Sequence, residues 1–451
     1  MTHDLVVRGG LVIGAHGEEV CDVAVDGEHI AALGSALRGR REIDARGLYV
    51  LPGAIDGHVH MRTERPRWVY DDTFATGSVA AAFGGVTTFI DQAQVEPGTT
   101  LLDGLAARIE EASGQCVVDY GIHVNLREAN RDRIAEIPQI VERGCPSLKM
   151  FMAYEDFRLP DPLILAAMGA LARVGGTAIV HAENQDLIDE LGAQLEAEGH
   201  AGRRSEARAH HAAFEGEAVH RALAMARVAG VPVLVYHLSA ADAVRELEAA
   251  QARGQEAYGE ACLPYLLLDE AAYDEPLSGP ALPVGPPLRD AGHRDALWEA
   301  LGRGAIDIIS TDHGPRRSIR DEAGRRVIPP GTSGLEVRLA LVHTSGVRTG
   351  RLTLQRFVDA CCTRPAELFG LARKGRLEAG YDADIVLFDP ERRLALTAAE
   401  LHSDIDHSTY EGRLCEGAPV TTIVRGQVVV ADGELQVEAG CGRFVERVAR
   451  R

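Results

Sequence analysis

A single rhythm runs through the middle of this 451-residue chain: a helix-like stretch ends at glycine, and a short run rich in β-branched residues follows. Gly84-Gly85 precedes Val86-Thr87-Thr88-Phe89-Ile90-Asp91, Gly144 precedes Leu148-Lys149-Met150-Phe151-Met152, and Gly175-Gly176 precedes Thr177-Ala178-Ile179-Val180-His181. Gly230 precedes Val231-Pro232-Val233-Leu234-Val235-Tyr236-His237, and Gly304 precedes Ile306-Asp307-Ile308-Ile309-Ser310. Glycine just past a helix end accepts the left-handed backbone that closes the last turn, and a strand apolar on both faces belongs to a covered parallel sheet. Adding Ala54-Ile55-Asp56, Val117-Val118-Asp119-Tyr120-Gly121-Ile122 and a weaker run at Ala257-Tyr258-Gly259 gives about eight strands separated by helices. Such a series closes into an α/β (β/α)8 barrel or stays open as a doubly wound sheet.

The two ends of the chain have another texture. Asp22-Val23-Ala24-Val25-Asp26-Gly27 alternates polar and apolar residues into an Asp-Gly turn, and Ala383-Asp384-Ile385-Val386-Leu387-Phe388 and Thr421-Thr422-Ile423-Val424 resume the strand pattern. The sequence predicts a small β-sandwich domain from residues 1–51 and 375–451, enclosing a barrel domain over 52–374. A net charge of −20 argues against nucleic acid, whose phosphates need a basic surface. No apolar run is long enough for a bilayer, and the N-terminus lacks the zones of a signal peptide, so a cytoplasmic protein is expected. Eight scattered cysteines without Cys-x-x-Cys suggest reduced core thiols.

The strand ends carry chemistry. The first gives Asp56-Gly57-His58-Val59-His60, and residues two apart on a strand face the same way, so both imidazoles can address one metal. The fourth holds Lys149 within an apolar run. That lysine is either a snorkelling surface cation or an amine of lowered pKa able to take up carbon dioxide as a carbamate, which is an anionic oxygen ligand. The fifth strand ends in His181, the sixth in His237 and the eighth in Thr311-Asp312-His313. Each residue alone is ordinarily a hydrogen-bonded polar group or a helix cap. Their recurrence at one topological point favours the closed barrel, where strand ends converge on one axis. His210, His211 and His293 have no such setting, and no role is assigned to them.

With these motifs in view, the chain resembles the cyclic amidohydrolases, above all the hydantoinase/dihydropyrimidinase family, over nearly its whole length. The resemblance rests on Leu51-Pro52-Gly53-Ala54-Ile55-Asp56-Gly57-His58-Val59-His60, Ser147-Leu148-Lys149-Met150-Phe151-Met152-Ala153-Tyr154 and His181-Ala182-Glu183-Asn184. It continues through Glu215-Gly216-Glu217-Ala218, His237-Leu238-Ser239, Pro286-Pro287-Leu288-Arg289, Ser310-Thr311-Asp312-His313 and Tyr410-Glu411-Gly412. It implies that His58, His60 and Asp312 hold one divalent metal, that His181 and His237 hold a second, and that carboxylated Lys149 bridges them. Zinc is the expected metal, with manganese, cobalt or nickel able to substitute. The implied reaction opens a hydantoin or dihydropyrimidine ring to an N-carbamoyl amino acid by a metal-bridged hydroxide, with Asp312 moving the proton and Tyr154 steadying the oxyanion. A homotetramer or homodimer is also implied. An allantoinase or dihydroorotase is the nearest alternative, and a family member that has become a non-catalytic scaffold is a more distant one.

Substrate contacts depart from the family pattern. The position that commonly offers a serine's backbone to the ring is Gly285 here, and a later asparagine aligns with Pro330, which has neither a side-chain amide nor a backbone N–H. Arg62 is similar to the arginine that dihydroorotases use for a substrate carboxylate, with a salt-bridged loop residue as the other reading. Met61, Phe151 and Phe157 are expected to form an apolar lid over a ring substituent, unless they only fill the core.

Overall fold

A computed structural model describes residues 1–14, 17–65, 68–274 and 284–450 of the chain. Eight parallel strands stand side by side in chain order: β1 (Ala54–Val59), β2 (Val86–Gln94), β3 (Asp119–Asn125), β4 (Ser147–Phe151), β5 (Thr177–His181), β6 (Val233–Val235), β7 (Ala257–Cys262) and β8 (Ile308–Ser310). The ring closes just beyond β8, where Val59 and His313 form a parallel bridge and the His60 N–H donates to the His313 carbonyl at 2.6 Å. The eight strands match the predicted runs, and the closed barrel, not the open sheet, is what forms. Helices connect them, among them Phe74–Phe83, Leu101–Ala112, Asp161–Arg173, Ala212–Ala229, Ala241–Ala252 and Ala291–Arg303. Gly230 and Gly304 end two of these helices in the left-handed conformation, as the rhythm predicts.

Ile55, Ile90, Ile179, Leu234 and Ile308 from the barrel strands, with Tyr236 just past β6, cluster with Phe369, the last residue of the helix Arg364–Phe369. Phe369 also explains the glycine of the Asp56-Gly57-His58 run. A Cβ at Gly57 would fall 2.1 Å from the Phe369 ring, so the ring packs where any other residue would have a side chain.

The chain ends build a separate nine-stranded mixed sheet. His3–Gly14 pairs with Gly17–Asp26 on one side and with Gly39–Asp44 and Tyr49–Pro52 on the other, and Tyr49–Pro52 pairs in turn with Ile385–Ala395. Its core joins Leu5, Val7, Val23, Val25 and Val50 from one end with Ile385, Leu387 and Ile423 from the other. Residues 440–450 leave the sheet and cross the amino-terminal mouth of the barrel, where Val445, Arg447 and Arg450 donate backbone N–H bonds to Tyr120, Gly144 and Gly175. Buried Arg447 donates to Ser147 Oγ at 2.9 Å and to the Ile122 carbonyl. The tail therefore seals one end of the barrel and leaves the other end free for chemistry. Among the described residues no helix is long and apolar enough to cross a membrane.

Candidate metal centre

The carboxyl ends of β1, β4, β5, β6 and β8 bring His58, His60, Lys149, His181, His237 and Asp312 together, as their sequence positions predict. Nε2 of His58 and Nε2 of His60 each lie 3.1 Å from Asp312 Oδ1. Lys149 Nζ lies 3.0 Å from His58 Nε2. Across the site, His181 Nδ1 and His237 Nε2 face each other at 2.9 Å. The donors thus fall into two groups, with the lysine reaching the first.

Three of the residues around this site stand on constrained backbone. Tyr154, His237 and Asp312 have φ of +68°, +39° and +52°, in a region that costs a non-glycine residue about 1–3 kcal/mol. Neighbouring hydrogen bonds hold the first two there. The His237 N–H donates to Glu260 Oε2 at 2.9 Å, and the Tyr154 N–H to Gln185 Oε1 at 2.7 Å. Just past His237, the Ser239 and Ala240 N–H groups donate to Glu215 Oε1 at 2.8 and 3.2 Å, while Arg289 braces Glu215 Oε2 at 3.0 Å. The Glu215-Gly216, His237-Leu238-Ser239 and Pro287-Leu288-Arg289 motifs are therefore one buried clamp on the β6 end.

Carboxylates also orient the imidazoles. Glu260, near the end of β7, sits 3.0 Å from His58 Nδ1. Glu183 sits 3.0 Å from His181 Nε2 and 2.8 Å from His210 Nδ1. Ordering a histidine through its far nitrogen fixes which nitrogen meets a metal. In the His181-Ala182-Glu183-Asn184 motif, Asn184 contributes differently. Its side chain accepts from the Leu187 N–H and caps helix Gln185–Ala197. Sequence reasoning gives Glu260 and His210 no such role. The strand signal of β7 is weak because Gly259 interrupts it, and that glycine is required: Leu247 and Leu238 would lie 2.5 and 2.8 Å from its Cβ. His210 lies at a helix end remote in sequence from the strand it supports.

The electrostatics suit metal binding. Burial holds the His58 and His237 imidazoles well below their ordinary pKa, with Lys149 and other nearby imidazoles adding to the effect, so both keep a lone pair at neutral pH. Burial likewise pushes the Lys149 ammonium down, against the pull of Asp312 and Glu260. Burial works to raise Asp312, but His58, His60 and Lys149 together overcome it and hold the carboxyl below the usual range. Four imidazoles, an ionised carboxylate and a lysine of lowered pKa form a nitrogen and oxygen donor set that fits two divalent cations. A second cluster, His58 with Glu260 and Cys262, fits less well. Burial keeps the Cys262 thiol protonated, and Glu260 is already engaged on His58 and His237.

A cavity of about 400 Å³ opens over these groups, walled by Phe151, Tyr154, Phe157, Gly285 and Pro330. The Phe151 and Phe157 rings lie 5.0 Å apart, and the Tyr154 ring lies 4.6 Å from that of His181. Met61 and Arg62 are not on this cavity, and here the expectation needs correction. Beyond His60 the side chains alternate, so Met61 turns away into the core, with its sulfur against Gly77, and Asp91 holds its N–H at 2.7 Å. Arg62 lines a separate hollow of about 390 Å³ beside Gln92 and Arg108.

Known proteins agree with this architecture. The profile of the amidohydrolase family matches residues 49–429. A D-hydantoinase of Streptomyces coelicolor is 39% identical over 99% of this chain and 98% of its own length. A D-phenylhydantoinase of Escherichia coli is 36% identical over 98% of both chains. The crystal structure of a dihydropyrimidinase from Brevibacillus agri superposes with a TM-score of 0.95 at 37% identity, covering 99% of each chain. Fold, donor set and sequence point the same way, and the chain belongs to the amidohydrolase family.

Proposed function

We propose that this enzyme hydrolyses the cyclic amide bond of a hydantoin or dihydropyrimidine ring, giving an N-carbamoyl amino acid. The observation that carries the proposal is the converging set His58, His60, Lys149, His181, His237 and Asp312 beneath a cavity walled in part by aromatic rings. Two divalent cations bound by this set, zinc by donor chemistry, would acidify water and polarise the ring carbonyl. Lys149 would hold them from between as a carbamate: its neutral amine bonds to the carbon of carbon dioxide and loses a proton, turning a cation into an anionic oxygen ligand. The burial that lowers its pKa supports that conversion.

The other side chains divide the remaining work. Asp312, kept ionised by its imidazole neighbours, takes the proton of the attacking water and returns it to the departing ring nitrogen. The Tyr154 hydroxyl is held far above its usual pKa by burial, reinforced by Glu183 and Asp312, so it stays protonated and can donate to the oxygen that gains charge. Phe151 and Phe157 offer an apolar wall to a ring substituent. Pro330 contributes no N–H there, and the backbone at Gly285 offers a polar edge for the ring amide.

Arg62 lies in another hollow, which speaks against a dihydroorotase-like grip on a substrate carboxylate. The names of the relatives support the D-series of 5-substituted hydantoins. The test compares turnover of dihydrouracil, D- and L-5-substituted hydantoins, allantoin and dihydroorotate by the zinc-loaded enzyme. Hydrolysis of the first two classes, with D ahead of L, is expected. Turnover confined to allantoin or dihydroorotate would overturn the assignment.

A further inference from the structure

One wall of the cavity carries a cation. Arg316, in the segment that follows β8, lines the same space as the metal-binding groups and is half-buried there. Its guanidinium carbon lies 5.4 Å from the centre of the Tyr70 ring, and that ring lies 5.4 Å from the His60 imidazole. The charge therefore stands two such steps from a metal-binding histidine.

Several bonds hold this segment in place. His407 Nε2 donates to the Arg316 carbonyl at 2.8 Å. The Asp71 N–H donates to the Pro315 carbonyl at 3.0 Å, and the Arg317 N–H donates to Asp71 Oδ2 at 2.6 Å. The Arg316 stem runs beside Gly331, where an added Cβ would fall 3.6 Å from Arg316 Cγ. Later arginines of the segment are turned to other partners: Arg317 pairs with Asp404, Arg325 with Asp321 and Arg326 with Asp406.

Burial strips the Arg316 guanidinium of part of its hydration and pushes its pKa down, against the pull of the Tyr70 phenol and Asp71. A partly desolvated cation gains more from an anion than one in bulk water does, and a planar guanidinium meets a carboxylate with two parallel bonds. Among the described residues, the cavity's carboxylate and cationic side chains outside the metal-binding set are Arg203, Glu206 and Arg316. Glu206 lies one turn from Arg203 on the same helix and draws on its charge. Arg316 is thus the cation best placed to meet an incoming anion.

We propose that Arg316 is a specificity-determining residue that binds a carboxylate at the end of the ring substituent, which makes hydantoins with a short carboxyalkyl arm a substrate class of this enzyme. The products would be N-carbamoyl derivatives of acidic amino acids. This rests on the proposed ring-opening activity, but affinity for the anion can be read without turnover.

The experiment compares 5-carboxyethyl-hydantoin with its uncharged amide, 5-carbamoylethyl-hydantoin, on zinc-loaded wild type, Arg316→Met and Arg316→Lys. Methionine keeps much of the stem and removes the charge, whereas lysine keeps the charge and loses the planar fork. Wild type is expected to prefer the acid. Arg316→Met should lower the acid-to-amide ratio of kcat/KM about 10- to 100-fold, chiefly through the KM of the acid. Arg316→Lys should recover part of the ratio. An equal ratio in wild type and Arg316→Met, or a larger loss from Arg203→Met than from Arg316→Met, would overturn the proposal. If the wild-type enzyme opened no cyclic ureide, the functional assignment would fall, and calorimetric titration with the acid would still decide the inference. Binding weakened about tenfold or more in Arg316→Met supports it, and equal binding overturns it.

Discussion

The carboxylates behind the histidines decide how well the site is formed. Glu260 and Glu183 do not line the cavity, yet each fixes one imidazole from its far side. Replacing Glu260 with glutamine removes the negative charge behind His58, and about 10- to 100-fold weaker metal binding is expected, measured by competition with a chromogenic chelator. Glu183 makes a prediction about pH. Burial would raise its pKa, but the bonds to His181 and His210 win, so its folded pKa lies below the ordinary 4.5. A depressed carboxylate stabilises the fold fully above its unfolded pKa and loses that contribution as pH falls toward the folded value. Urea titrations should therefore show Glu183→Gln destabilised at neutral pH, with the gap to wild type narrowing below about pH 4. A gap independent of pH would contradict this. The candidate metal ligands were legible because they sit on or just past strands whose runs are strong, whereas Glu260 lies on β7, whose run is weak.

At the scale of elements, the barrel strands were readable because strands buried on both faces need continuous apolar runs, and helix-ending glycines mark where five of the eight begin. Side-chain direction past a strand end is harder to read. His60 follows the alternation of β1 into the site, but Met61 and Arg62 face other elements, and only the helix Phe74–Phe83 and the β2 edge determine where they go. Gly57 shows how one element constrains another. Gly57→Ala would drive a methyl into the Phe369 ring, at a cost of about 1–3 kcal/mol, and would disturb His58 next to it. Pairing it with Phe369→Leu should recover much of the loss in a thermal melt. No recovery would mean that the glycine serves another purpose.

Across the whole molecule, the barrel and the terminal sheet are joined by buried charge. Lys374 Nζ lies 2.8 Å from Asp119 at the start of β3 and 2.7 Å from Asp384 at the edge of the sheet, and Arg425 also reaches Asp119. Burial would lower the lysine pKa, yet Asp384 and Asp119 hold it above the ordinary value. Lys374→Met would leave two buried carboxylates short of a cation, and a loss of about 3–5 kcal/mol is expected in denaturant titration. The two-ended sheet was visible in the sequence from its alternating strands. The tail was not, because residues 440–450 bind the barrel largely through backbone N–H groups, which leave no side-chain pattern.

In the proposed active enzyme, four histidines and Asp312 hold two metal ions together with carboxylated Lys149. An anomalous-scattering map of crystals grown with zinc and bicarbonate tests this arrangement most directly. The expected result is two peaks per chain, one against His58, His60 and Asp312 and one against His181 and His237, with added density on Lys149 Nζ between them. A single peak, or an unmodified lysine turned away from it, would contradict the account.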